Sequence, residues 1–256
     1  MRADRSRTYA ASVRRIGILA HSTEGAALCF LELCQLAGGR LGPLNHPPVT
    51  LDCAPLAWSM PHYESGDLEA IRTIMAESIE RLSRAGCDFF ICPDNTVHQA
   101  LELPGPPFAL PGLHIADIVA ARAAERGFTR VGVLGTRYLA ESAVYPHALG
   151  RRGIDAAVPG PAGRETVNGI IFDELLHGVV TAESARALRT VIDELVDDDC
   201  DAVALVCTEL PMIVTADLSP LPLLDSPRLL AAAALDTAVD GDLPTWRGGP
   251  VSLDDR

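Results

Sequence analysis

Two rhythms of apolar residues alternate along this chain. Short, nearly unbroken apolar runs recur at Arg15–Ala20, Val49–Cys53, Phe89–Pro93, Arg130–Gly135, Ile154–Val158 and Ala202–Cys207. Runs of this length between turn residues predict buried strands. Between them the spacing changes to that of a helix. Leu68, Ile71, Met75, Ile79 and Leu82 share one helical face, and Gly86 follows as a stop signal. Leu188, Val191, Ile192 and Leu195 form a second such face. The Ser22-Thr-Glu-Gly turn opens a helix through Leu28, Leu31 and Leu36, and another helix is expected from Tyr138 to Leu149. Strands alternating with amphipathic helices predict parallel sheets with helices on both faces. Residues 1–12 and 241–256 read as tails.

The pattern repeats itself. Arg15-Ile-Gly-Ile-Leu-Ala-His21 parallels Arg130-Val-Gly-Val-Leu-Gly-Thr136, and Cys87-Asp-Phe-Phe-Ile-Cys-Pro-Asp94 parallels Cys200-Asp-Ala-Val-Ala-Leu-Val-Cys207. Gly17 precedes Asp94 by 77 positions and Gly132 precedes Cys207 by 75. Each copy continues into a Pro-rich strand, near Pro106–Ile115 and Pro220–Asp225. Repetition of this kind predicts two pseudo-symmetric α/β lobes. The first would comprise 13–117 with 225–240, the second 118–224. It also places Asp94 and Cys207 at equivalent strand ends. Ligands of open α/β sheets bind outside those ends, so the expected active site is the cleft between the lobes, with the two residues facing one ligand.

Composition narrows the partners. The chain has 256 residues and a formal net charge of -13. That balance argues against nucleic acid or an anionic membrane, both of which need a basic surface. A small carboxylate is still compatible, because helix N-termini hold anions locally. Seven scattered cysteines without C-x-x-C spacing suit a reducing, cytoplasmic setting rather than a disulfide framework or zinc ribbon. Seven dispersed histidines lack an H-E-x-x-H pair, so no metal is expected. The short N-terminal apolar stretch, broken by Arg14 and Arg15, is not a signal peptide.

Asp94-Asn-Thr-Val-His98 and Val206-Cys-Thr-Glu209 resemble the C-N-T-x-H and G-C-T-E signatures of the aspartate/glutamate racemase superfamily. Gly132–Thr136 running on to Tyr145, Asn168–Gly178 and Leu224-Asp-Ser226 resemble it too, so the likeness spans Arg15 to about Ala238. It implies two flavodoxin-like lobes, a homodimer, and catalysis without pyridoxal phosphate, metal or other cofactor. In that family two thiols work opposite faces of the substrate's Cα, one removing a proton and the other returning one.

This sequence departs from the pattern at one of those thiols, since Asp94 stands where the first cysteine is expected. Cys92 points to the same side of an ideal strand but one layer deeper, and is not expected to replace it. The histidine of the family's late D-S-x-x-x-H stretch is Leu230 here. Three readings of Asp94 stay open: an unequal acid/base pair with Cys207 that racemises or epimerises a small acidic amino acid or related carboxylate; a decarboxylase or isomerase with Cys207 as its one proton donor; or a ligand for an amine or other cationic group, with catalysis lost or altered, as in a non-catalytic binder of a small molecule. The expected catalytic residues are Cys207 and Asp94. Asn95, Thr96, Thr208, Ser22, Thr23 and Thr136 are candidate substrate ligands, with helix capping as the alternative. His98 and Glu209 are candidates for tuning the reacting pair. Cys29, Cys34, Cys53, Cys87 and Cys200 are expected to be small buried apolar residues.

Overall fold

The computed structural model describes residues 13–251. Its strands form two four-stranded sheets. The first holds β1 (Ile16–Ala20), β2 (Val49–Cys53), β3 (Phe89–Ile91) and β4 (Gly112–Leu113) in the order β2-β1-β3-β4. The second holds β5 (Arg130–Leu134), β6 (Asp155–Ala157), β7 (Ala202–Leu205) and β8 (Leu223–Asp225) in the order β6-β5-β7-β8. Every strand pair is parallel. The order is the same in both sheets, so the sequence repeat is a repeat of topology. Among the described residues, the two compact units comprise 13–93, 100–114 and 230–251, and 94–99 with 115–229. The segment Asp94–Gln99 therefore packs with the second unit.

The repeated residues have local reasons. α3 (Leu68–Arg84) starts at Asp67, whose carboxylate accepts from Ala70 N, and buries Ile71, Met75, Ile79 and Leu82. α9 (Ala182–Asp197) starts at Thr181, whose hydroxyl accepts from Ser184 N, and buries Leu188, Val191, Ile192 and Leu195. Each helix meets its sheet closely. A Cβ on Gly17 would lie 3.1 Å from Leu82 Cδ1, and one on Gly132 only 2.6 Å from Leu195 Cδ1. Glycine is thus required where each last helical leucine presses on the central strand. Behind each helix the chain turns through a left-handed residue, Gly86 in one unit and Asp199 in the other. Then Asp88 Oδ2 accepts from Arg15 N at 2.6 Å, while Asp201 Oδ2 accepts from Thr129 N at 2.7 Å. The paired aspartates fasten the start of one central strand to the start of the next.

Three sequence expectations change. The helix expected from Tyr138 to Leu149 is broken into α6 (Arg137–Ala140) and α7 (Val144–Gly150). Pro146 explains the break: within a continuous helix it would lack a donor and crowd the carbonyl four residues back, whereas in the first turn of α7 it is tolerated. Residues 242–251 are not a tail. Trp246 is buried against Phe90 and Phe108, and Gly112 N donates to its carbonyl at 2.8 Å, covering the β4 edge. Residues 1–12 and 252–256 lie outside the described residues. Finally, Cys29, Cys87 and Cys200 are buried, but Cys34 is only partly so and Cys53 is exposed, because β2 is an edge strand.

The remaining helices are α1 (Thr23–Leu41), α2 (Leu56–Ser65), α4 (His98–Leu101), α5 (Ile115–Glu125), α8 (Pro161–Gly169) and α10 (Ser226–Val239). α8 runs into a π-helical turn at Ile170–Glu174.

Candidate functional site

Cys207 lies two residues beyond β7, where the chain leaves the sheet, and is 8% exposed. Its Sγ donates to Glu209 Oε2 at 2.9 Å. Glu209 is itself buried, and its other carboxylate oxygen has no hydrogen-bond partner. Burial pushes the Cys207 thiol well above its ordinary value. The charge of Glu209 and its hydrogen bond push the same way, a backbone hydrogen bond to Glu209 opposes them, and the charge of Asp94 adds to the rise. At neutral pH the group is therefore a protonated thiol, a proton donor rather than a ready nucleophile.

Asp94 begins the segment that packs with the second unit. Its Oδ1 accepts from Thr96 N at 2.9 Å and Val97 N at 3.4 Å, closing an Asx turn. His98 Nδ1 lies 2.9 Å from the Asp94 carbonyl, and His98 is fully buried at the start of α4. Thr96 Oγ1 meets Thr136 Oγ1 at 3.3 Å. Thr136 also caps α6, accepting from Leu139 N. Thr208 is buried directly beside Cys207. The second unit thus gathers Asp94, Asn95, Thr96, His98, Thr136, Cys207, Thr208 and Glu209. Ser22 and Thr23 lie in the first unit at the start of α1, where Ser22 forms no side-chain cap and Thr23 Oγ1 donates to Glu24.

Asn95 is placed differently from a free substrate ligand. Its Nδ2 donates to Ser226 Oγ at 3.0 Å, and its Oδ1 accepts from Tyr145 OH at 2.6 Å. Ser226 Oγ in turn donates to Leu205 O, in β7, at 2.8 Å. All three side chains are buried, and burial holds the Tyr145 phenol far above its ordinary value, so it stays a hydroxyl donor. Sequence reasoning gave Tyr145 and Ser226 no role. A tyrosine at an apolar helix position carries no mark of the partner its hydroxyl finds.

Among the described residues no group of three or more His, Cys, Asp or Glu is placed to hold a metal ion, and no helix is long and apolar enough to cross a membrane. What the second unit offers is a protonated thiol on which the charge of the Asp94 carboxylate acts, with Thr208 next to the thiol in the chain and the Thr96 and Thr136 hydroxyl groups in mutual contact. Such a set can remove and deliver protons and can hold a small anion.

Known proteins share both sequence and architecture. The family model for Asp/Glu/Hydantoin racemase matches residues 18–234. The broad specificity amino-acid racemase RacX of Bacillus subtilis (strain 168) is 24% identical over 235 residues, covering 87% of this chain and 97% of that protein. A Yersinia pestis protein assigned as an Asp/Glu racemase superposes with a TM-score of 0.79 at 28% identity, over 89% of this chain and 100% of the other. The aspartate racemase of Picrophilus torridus shares the fold, with a TM-score of 0.71 at 20% identity, over 88% of this chain and 94% of its own.

Proposed function

Because the chain belongs to the Asp/Glu/hydantoin racemase family and is an isomerase of the racemase type, we propose that it inverts the Cα of a small acidic amino acid or related carboxylate with an unequal pair, Asp94 and Cys207. In one direction the Asp94 carboxylate takes the Cα proton, and the electron pair is delocalised into the substrate carboxyl group. The Cys207 thiol then delivers its own proton to the opposite face of Cα. In the other direction the thiolate removes the proton and the protonated Asp94 returns one. No redox partner is needed, since one C–H bond breaks and one forms. The hydroxyl groups of Thr96, Thr136 and Thr208 would stabilise the substrate carboxyl group as negative charge builds on it.

The observation that carries this reading is the state of Cys207. Its burial, the charge and hydrogen bond of Glu209, and the Asp94 charge all favour the protonated thiol. A symmetric thiol pair needs one thiolate and one thiol. Here the Asp94 carboxylate supplies the base and frees the cysteine to be the acid.

The reaction is read by NMR in D2O with L- and D-acidic amino acids and malonate-type acids. Deuterium at Cα with inversion is the expected result. Deuterium with loss of a carboxyl group would instead make Cys207 the one proton donor of a decarboxylase. Binding without exchange would contradict any proton-transfer role.

A further inference from the structure

Asp94 can act with Cys207 only if two segments far apart in sequence are held in register. Asp94 lies in a loop-like turn after β3, and turns of this kind are mobile unless tied down. The Asx turn to Thr96 and Val97 and the carbonyl contact to His98 are local to that turn. None of these reaches the strand that carries Cys207. The next residue does.

We propose that Tyr145, Asn95 and Ser226 form a buried hydrogen-bonded strut that sets the position of the Asp94 turn relative to Cys207, making all three positioning residues for the proton-transfer pair. The chain of contacts is continuous. Tyr145 OH, on α7, donates to Asn95 Oδ1 at 2.6 Å. Asn95 Nδ2 donates to Ser226 Oγ, at the first residue of α10, at 3.0 Å. Ser226 Oγ donates to the carbonyl of Leu205, two residues before Cys207, at 2.8 Å. The direction of donation is consistent from end to end. Asn95 is 2% exposed, Tyr145 1% and Ser226 0%, so water cannot readily replace a broken link.

The chemistry of these groups suits a strut better than a ligand. Tyrosine and serine are neutral, so the chain neither titrates in the working pH range nor competes with Asp94 for protons. Asparagine both accepts and donates through one rigid amide, fixing its plane from two sides. Polar chains of this kind, when every member is satisfied, specify one arrangement of the segments they join. The assignment rests on Asp94 and Cys207 being the reacting pair, so its test must separate the strut from the reaction.

The test is the pH profile of Cys207 alkylation by iodoacetamide, followed on the Cys207 peptide by mass spectrometry, together with kcat and KM for the racemised substrate. In Tyr145→Phe and Ser226→Ala, slackening of the turn relieves Cys207 of the Asp94 charge. The alkylation midpoint is expected to move to lower pH in both variants. Kcat should fall about tenfold, well within the range that small misplacements cost, while KM changes less than about twofold. In an Asp94→Asn background the same two substitutions should move the midpoint no further. A midpoint that stays at the parental pH in both variants overturns the strut, whatever kcat does. So does a shift that persists undiminished without the Asp94 charge. A shift with unchanged kcat would uphold the strut and instead remove Asp94 from the reaction.

Discussion

The segment Cys87–Asp94 in one half of the chain and Cys200–Cys207 in the other begin alike and end differently. Both begin with a buried cysteine and an aspartate that fastens the neighbouring central strand. Both continue as a parallel strand beside a glycine that lets a helical leucine approach. They differ at the point where the strand ends: one presents a carboxylate, the other a thiol. Backbone requirements have kept the repeat alike inside the sheets, where a Cβ or a lost hydrogen bond has an immediate cost. At the strand ends the two copies carry different acids, and the Asp94 carboxylate also closes the turn that follows it.

That contrast can be broken first at the strand ends. Cys207→Ala should lower kcat for racemisation by about a thousandfold, as expected when a general acid is removed. Its thermal midpoint should stay close to the parent's, since alanine nearly fills the same buried space. Activity within a few-fold of the parent would remove the thiol from the chemistry. Glu209→Gln, which keeps the shape and deletes the charge, should move the Cys207 alkylation midpoint to lower pH, because the Glu209 charge is among the groups that raise it. An unchanged midpoint would mean burial alone holds the thiol protonated.

Inside the sheets the comparison can be sharpened by stability. Gly132→Ala places a methyl 2.6 Å from Leu195 Cδ1, while Gly17→Ala meets Leu82 Cδ1 at 3.1 Å. Overpacking of this kind typically costs about 1–3 kcal/mol, so urea unfolding should show Gly132→Ala as the more destabilising change. Combining it with Leu195→Ala should recover part of the loss, and strict additivity would show that the leucine is not what the glycine accommodates. Asp201→Ala, which loses acceptors for Thr129 N, Thr129 Oγ1 and Arg130 N, should cost more than Asp88→Ala, which loses the bond to Arg15 N. A difference of about 1–3 kcal/mol is the expected order for two extra hydrogen bonds.

The smallest effect is on alkaline stability. The thiols of Cys87, Cys200 and Cys207 are all raised, chiefly by burial. A thiol whose folded value lies above its unfolded value contributes stability in full below the unfolded value, about 8.5. That contribution is lost as pH rises above it. The thermal midpoint should therefore be insensitive to these groups near pH 7 and fall above about pH 9, less steeply in Cys207→Ala. An identical slope in the variant would argue that Cys207 titrates normally in the folded protein.

Much of this was legible in the amino-acid order. The strand runs, the helical faces of α3 and α9 and the repeat that pairs Gly17 with Gly132 all follow from apolar periodicity and turn residues, and the two sheets have that common topology. The break between α6 and α7 was also written there, in Pro146, but apolar periodicity through Tyr138–Leu149 masked it. Trp246 lies far from the aromatic residues it covers, and no periodic pattern announces a strap across a sheet edge. At the site, residue types and motif spacing singled out Cys207, Asp94 and their neighbours as candidates. They did not reveal that Asn95 spends its amide on Tyr145 and Ser226, because those partners are 50 and 131 positions away.

The account stands most directly on what Asp94 does, and enantiomer-resolved Cα exchange in D2O for Asp94→Asn measures it. With the carboxylate gone, exchange from the enantiomer whose proton Asp94 removes should fall to background while the folded structure persists, and inversion should cease. If Asp94→Asn still inverts its substrate and exchanges both enantiomers at the parental rates, Asp94 is not the base and the unequal pair does not exist.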